Sequence, residues 1–289
     1  MKAGVPPLPI APLYPLLYEP LIRRALEEDL GRAGDLTSDA VLPPDLAAEA
    51  RVVARAAGRV AGLPAALAAF RLLDASIRIE EHAADGADVE AGSILATVRG
   101  PARSILSAER TALNLLGRLC GIATATRDMA ALVAPHGARI VCTRKTTPGL
   151  RALEKFAVRC GGGHNHRFGL DDAVLIKDNH VALAGGIRPA FERVRRSVGH
   201  LVKVEVEVDS LDQLREALDL GADVVLLDNM PLEMLREAVA MARGRAITEA
   251  SGGINPKTAA AIAATGVNLL SMGWLTHSAP ALDVALDVG

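Results

Sequence analysis

A chain of 289 residues, half of them apolar and 23% charged, can fill one large domain or two of ordinary size, which excludes a disordered polypeptide. A formal charge of −2 excludes a global basic field for nucleic acid or membrane, and aromatics at 2% leave too few rings to stack single-stranded bases. The abundant alanine predicts helices packed closely through small side chains.

The first 20 residues, MKAGVPPLPIAPLYPLLYEP, read as an irregular proline-rich arm without the continuous apolar core of a signal peptide. No run approaches the roughly 18 apolar residues that span a bilayer. Cys120, Cys142 and Cys160 stand in no metal-like or CxxC spacing. So odd and sparse a set fits a reducing cytoplasm, and a soluble cytoplasmic protein is expected.

Apolar positions Leu21, Ile22, Ala25, Leu26 and Leu30 predict a helix over 20–30, followed by the loop GRAGDLTSDAVLPP. Residues 49–60 and 76–99 alternate in short strands broken by Gly and Asp turns. Ser107 reads as the N-cap of a helix from Ala108 towards Leu119. After about residue 137 the pattern changes to β-branched runs separated by helical stretches, as parallel βα units require. The runs are 138–143, 173–176, 202–208, 222–227, 246–250 and 267–272, with helices expected at 209–220, 231–243 and 256–265. The spacing of the last units fits a (β/α) barrel.

Each run ends in polar residues or glycine, and barrel active sites are built from loops at the carboxyl ends of the strands. Between Arg110 and Leu170 there are ten Lys or Arg and only two acids, a cationic segment inside a near-neutral chain that suits a small anionic ligand. Arg144 and Lys145 end the first run; alone they read better as solvated loop cations, and only together with the next motif as anion ligands. RCGGGHNHRFGL (159–170) adds His166 and Arg167 behind three glycines that let backbone amides approach an anion. His164 and His166 lack the i, i+4 spacing of helical zinc motifs, so an anion fits better than a metal. Lys177 follows a buried run and either snorkels to solvent or reaches into the barrel mouth.

In KVEVEVDS (203–210), period 2 sends Glu205, Glu207 and Asp209 to the face opposite the valines. Inside a barrel such acids need cations or a metal as partners. Asp228, at the end of VVLLD, also calls for a partner, and Glu207 with Asp228 could bind Mg²⁺ on a pyrophosphate or face a cationic sugar. EASGGI and SMGW put Ser251, Gly252, Gly253 and Gly273 in the last two βα turns, where many barrels bind phosphate.

TRKTTPG, RCGGGHNHR, LIKDNH, VEVEVDS, LLDNM, SGGI and the earlier SAERTALNLL, in this order, resemble the quinolinate phosphoribosyltransferase family (nicotinate-nucleotide pyrophosphorylase, carboxylating). The resemblance runs from about Leu26 to near Val288. It implies an α/β fold of an N-terminal α/β sandwich and an incomplete (β/α) barrel of the type II phosphoribosyltransferase kind. The expected division is 1–115 for the sandwich, with 278–289 packing back on it, and 116–277 for the barrel. It further implies transfer of phosphoribose from 5-phosphoribosyl 1-pyrophosphate to quinolinate with loss of carbon dioxide, in the biosynthesis of NAD. Arg144, Lys145, His166, Arg167 and Lys177 would form the quinolinate pocket. Glu207 and Asp228 would lie near ribose and Mg²⁺, and Ser251, Gly252, Gly253 and Gly273 would take the 5-phosphate with His277 close by. Lys145 or Lys177 would stabilise the decarboxylation carbanion. A homodimer or higher even oligomer would supply Arg110 across its interface.

Two enzymatic alternatives share the barrel: a non-carboxylating nicotinate phosphoribosyltransferase and the paralogue found beside molybdate transport genes. The fuller cationic set favours the dicarboxylate. A third alternative is a biotinyl- or lipoyl-like carrier, suggested by DGADVEAGSILATVRG, but residues 76–104 contain no lysine to carry the cofactor.

Overall fold

The computed structural model describes residues 10–289, so the first part of the proline-rich arm lies outside the described residues. The chain forms two compact units. One comprises the described residues up to Arg127 with Thr147–Gly162 and Ser278–Gly289; the other comprises Asp128–Thr146 and Gly163–His277.

The first unit opens with α1 (Glu19–Leu30), whose buried positions Ile22 and Leu26 are four apart, as one helical face requires. The short α2 (Leu36–Val41) follows, capped by the Asp35 carboxylate, which accepts the amides of Thr37 and Ser38. Strands β1 (Ala47–Ala54), β3 (Arg78–Glu81), β5 (Ile94–Pro101) and β12 (Val284–Val288) form an antiparallel sheet in the order β12-β1-β5-β3. The minimal strands β2 (Gly58–Arg59) and β4 (Asp88–Val89) pair separately, and α3 (Leu63–Leu73) buries Leu63, Leu67 and Phe70. In β1 the alternation predicted for 49–60 holds only over buried Ala50, exposed Arg51 and buried Val52; Val53 is buried as well, where the register with β5 shifts.

The long helix α4 (Ala102–Val133) does not start at Ser107. Ser107 instead donates to Asp35 at 2.9 Å, and Ser104 donates to Asp74 at 2.9 Å. The hydroxyl that looks like a cap in sequence is here a cross-link from a helix face, and the helix continues through the expected break at 115/116. Its small residues permit backbone contact. A Cβ at Gly121 would lie 2.0 Å from the Pro280 carbonyl oxygen, and one at Gly117 would lie 2.8 Å from that of Leu282. The C-terminal segment therefore runs along α4 before β12 pairs with β1. Helix α5 (Arg151–Cys160) completes this unit.

The second unit is a six-stranded parallel sheet in the order β6-β11-β10-β9-β8-β7. Its strands are β6 (Arg139–Val141), β7 (Val174–Ile176), β8 (Val204–Val208), β9 (Val224–Asp228), β10 (Ile247–Ser251) and β11 (Leu269–Ser271). Helices α6 (Asp178–Ala184), α7 (Ile187–Ser197), α8 (Leu211–Asp219), α9 (Leu232–Ala242), α10 (Ala259–Ala263) and α11 (Trp274–His277) connect or follow them. Ser210 caps α8 by accepting the Gln213 amide, as a strand-to-helix turn requires. The sheet does not close: β6 and β7 remain edges, and the His164 segment bridges Val141 beside β6. The three cysteines are free thiols buried in the two cores. No helix among the described residues is long and apolar enough to cross a membrane.

Candidate active site

Parallel register decides which side chains share the inner face. Glu205 pairs with Val224, Glu207 with Leu226, and Leu226 in turn with Glu249, while Asp228 pairs with Ser251. With period 2, Glu205, Glu207, Asp228, Glu249 and Ser251 all face one side of the sheet, and Glu207, Asp228 and Ser251 stand at or near its carboxyl end. The acids predicted to need partners have them. His166 Nε2 lies 2.9 Å from Glu205 Oε2, and Lys177 Nζ lies 3.6 Å from Glu207 Oε2.

The cations arrive at the same end from three directions. Arg144 and Lys145 follow β6, and Lys177 follows β7. His166 and Arg167 follow the His164 segment, whose amide donates to the Ile140 carbonyl at 2.8 Å and whose carbonyl accepts from Cys142 at 3.1 Å. Two of the three glycines before His164 are needed by the chain path. Gly162 takes φ +85°, and a Cβ at Gly161 would come within 2.5 Å of the Ala123 carbonyl oxygen.

Charge is concentrated on both sides of this mouth. Burial, and then the neighbouring Arg144 guanidinium, lower the pKa of Arg167, against the opposing pull of Glu205 and Asp172. The Nε atoms of Arg144 and Arg167 are both buried and make no hydrogen bond. Two crowded guanidinium groups with unused donors form a fork suited to a carboxylate or phosphate. At the end of β8, burial raises the pKa of Glu207; Asp228 and Asp178 reinforce the shift and Lys177 opposes it. That surplus of negative charge between Glu207 and Asp228 suits a divalent cation or a developing sugar cation.

His166 departs from the expected direct cation. Its Nδ1 accepts the Arg167 amide at 2.8 Å while Nε2 points to Glu205, so both ring nitrogens are committed to protein partners. Its Nε2 and the carboxylate oxygens of Glu205 and Glu249 lie within 4.8 Å of one another, the one such three-donor group among the described residues.

The glycine turns are defined by their neighbours. A Cβ at Gly273 would lie 2.7 Å from Lys145 Cδ, so Gly273 makes room for the lysine stem. The Thr276 hydroxyl donates to the Lys145 carbonyl at 2.8 Å and fixes the same junction. Gly252 has φ +96°, and a Cβ there would lie 2.0 Å from Asn229 Oδ1; Gly253 has φ +61° with open space around it. His277 is exposed at the end of α11. Arg110 belongs to the first unit, where its guanidinium is 3.6 Å from Glu109 and 64% exposed. It lines a cavity of about 380 Å³ with Ile22, Glu28 and Arg118.

Two residues escaped the sequence reading. Asn229 has φ 52°, accepted by few residues other than glycine, and its Nδ2 donates to Asp228 Oδ2 at 2.8 Å. Glu249 is almost fully buried behind the glycine turn. Its period-2 relation to Ser251 was available, but its register with β8 was not.

An incomplete parallel barrel whose strand ends gather two arginines, two lysines and two carboxylates defines an α/β-barrel enzyme site for a small polyanion. Comparison with known proteins then places the chain. Residues 35–120 match the N-terminal domain and residues 122–287 the C-terminal domain of quinolinate phosphoribosyl transferase. The probable nicotinate-nucleotide pyrophosphorylase (carboxylating) of Bacillus subtilis is 44% identical over 273 residues, covering 94% of each chain. The protein of the same description from Methanothermobacter thermautotrophicus is 44% identical over 275 residues, covering 93% of this chain and 98% of its own. The structure of the nicotinate-nucleotide pyrophosphorylase from Francisella tularensis superposes with a TM-score of 0.92 at 38% identity, covering 97% and 99% of the two chains. The chain belongs to the quinolinate phosphoribosyl transferase family. The stretch that resembles a carrier module lies within the family's N-terminal domain.

Proposed function

We propose that the chain transfers phosphoribose from 5-phosphoribosyl 1-pyrophosphate to quinolinate, releasing pyrophosphate and carbon dioxide and forming nicotinate mononucleotide. The observation that carries this reading is a strand-end mouth that holds both the buried, unused arginine donors of Arg144 and Arg167 and the acids Glu207 and Asp228. The carboxylating names of the relatives favour it over a non-carboxylating enzyme.

Both substrates are polyanions, and two like charges about 4 Å apart repel by about 4 kcal/mol at an effective dielectric near 20. Arg144 and Arg167 offset that repulsion and orient the pyridine so that its nitrogen faces the anomeric carbon. As the bond to pyrophosphate breaks, positive charge grows on the ribose, opposite Glu207 and Asp228. Alkylation leaves the ring nitrogen cationic; the adjacent carboxylate departs as carbon dioxide and leaves its electron pair on the ring carbon, which then takes a proton. We assign Lys145 to that electron pair. Lys177 is already drawn to Glu207, whereas the Lys145 ammonium has no ion-pair partner among the described residues. Ser251, Gly252 and Gly253 offer the 5-phosphate a glycine turn.

Glu207 and Asp228 are hard oxygen donors that fit Mg²⁺, which would neutralise the leaving pyrophosphate. The exposed Arg110 suits donation to a second copy's site in a homodimer. Free buried thiols suit a cytoplasmic location.

The test is product analysis with quinolinate, 5-phosphoribosyl 1-pyrophosphate and Mg²⁺, following nicotinate mononucleotide and carbon dioxide. Equal turnover of nicotinate would defeat the reading. Lys145→Ala should release pyrophosphate faster than carbon dioxide; tight coupling in that variant and uncoupling in Lys177→Ala would reassign the role.

A further inference from the structure

Below the mouth, two acids with no part in the proposed chemistry face one another inside the sheet. Glu205 is 6% and Glu249 2% exposed, and each leaves its Oε1 without a hydrogen-bond partner. Two such carboxylates, side by side and out of water, carry a large penalty if both are ionised. A single group mediates between them: His166 Nε2 is 2.9 Å from Glu205 Oε2 and 3.7 Å from Glu249 Oε1.

The far edge of the ring settles where its proton lies. Nδ1 accepts the Arg167 amide at 2.8 Å, and a nitrogen that accepts carries no proton. The ring hydrogen therefore sits on Nε2, donated to Glu205. A neutral imidazole cannot balance two carboxylate charges, so one acid must hold a proton. Burial, and then the neighbouring Glu205 carboxylate, push Glu249 up to about 7, and the Ser271 hydroxyl opposes the shift. Glu205 lies near Arg167, where it opposes the crowding by Arg144.

We propose that Glu205 and Glu249 are positioning residues of the substrate-carboxylate pocket. They lock His166 as its Nε2–H tautomer, and the ring in turn fixes the Arg167 backbone and the Arg144–Arg167 fork. The proposal rests on the reading that this fork holds quinolinate.

The test compares Glu205→Ala, Glu249→Ala, Glu249→Gln and Arg167→Ala in the full chain, with ¹⁵N-histidine NMR of each and His166→Asn to assign the signal. In the wild type, His166 should show the Nε2–H tautomer; an Nδ1–H ring would overturn the proposal without any variant. Glu205→Ala and Glu249→Ala should each raise the KM for quinolinate about tenfold or more and leave that for 5-phosphoribosyl 1-pyrophosphate within about twofold, with the His166 tautomer averaged. Glu249→Gln, which keeps shape and a donor, should recover most of the affinity and the fixed tautomer. Unchanged quinolinate KM in both alanine variants, beside a raised KM in Arg167→Ala, would sink the proposal. An Arg167→Ala variant with normal quinolinate KM would instead refute the fork as the carboxylate site. A stoichiometric metal ion on the purified protein, lost in Glu249→Ala, would also overturn it, because metal binding at Nε2 displaces that proton.

Discussion

Lys177 Nζ stands 3.6 Å from Glu207 Oε2, so the cation that follows β7 and the acid on β8 meet at the end of the sheet. The lysine is half exposed, so the contact contributes little to stability, but it opposes the burial that raises Glu207. Removing either partner should therefore be felt in turnover rather than in folding. Glu207→Gln is expected to lower kcat by about 10²–10³-fold, as the loss of one electrostatic group facing developing charge does, with an unfolding midpoint near that of the wild type. Lys177→Met should raise the Glu207 pKa further, shifting the acidic limb of the kcat/KM profile to higher pH. Steady-state kinetics across pH check both; an unmoved limb in Lys177→Met would separate the two residues.

Asn229 and Gly252 form a second tight pair. The glycine needs φ +96°, and the asparagine amide occupies the space a Cβ would take. Gly252→Ala should cost about 1–3 kcal/mol through strain and displace Asn229 from Asp228, so both urea stability and kcat should fall. Asn229→Ala removes only the side chain, leaving a left-handed residue without its Asp228 bond. It should lower kcat more than it raises the KM for quinolinate.

Glu249 makes stability depend on pH with a definite sign. Its folded pKa of about 7 lies above the ordinary 4.5, so between those values the folded chain holds a proton that the unfolded chain has released. That contribution is present at the acidic end of the window and is lost as pH rises through it. Urea unfolding of wild type and Glu249→Gln at about pH 5 and about pH 8 should show the wild type losing more stability over the interval. Parallel curves for the two proteins would show that Glu249 ionises normally.

In the first unit, Gly121 lies against the backbone of Pro280 and Ala281. Gly121→Ala would press a methyl group into main chain that cannot rotate away, and should destabilise the protein by about 1–3 kcal/mol. The measurable sign is a lower thermal midpoint, together with faster exchange of the amides that pair β12 with β1. Full wild-type stability would mean that the C-terminal segment does not follow this path.

Much of this was legible in the chain itself. The six β-branched runs become strands within about two residues of their predicted ends, and α8 and α9 fall inside their predicted stretches, because burial on both faces of a parallel sheet writes a continuous apolar signal. Arg144, Lys145, Lys177, Glu207, Asp228 and Ser251 were visible as polar endings to those runs, and Arg167 as part of the glycine-led loop before the second. Period 2 alone said that Glu205 and Glu207 share a face.

Only tertiary structure decided the rest. Register across β9 set Glu249 level with Glu207 on the face that carries Glu205, the His164 segment turned His166 inward between Glu205 and Glu249, and the serine that looks like a helix cap became a cross-link to Asp35. Local sequence carries the period of an element and the residue on which it ends, because both follow from backbone geometry. Which side chain meets which across strands depends on contacts between segments tens of residues apart, and no local pattern encodes that distance.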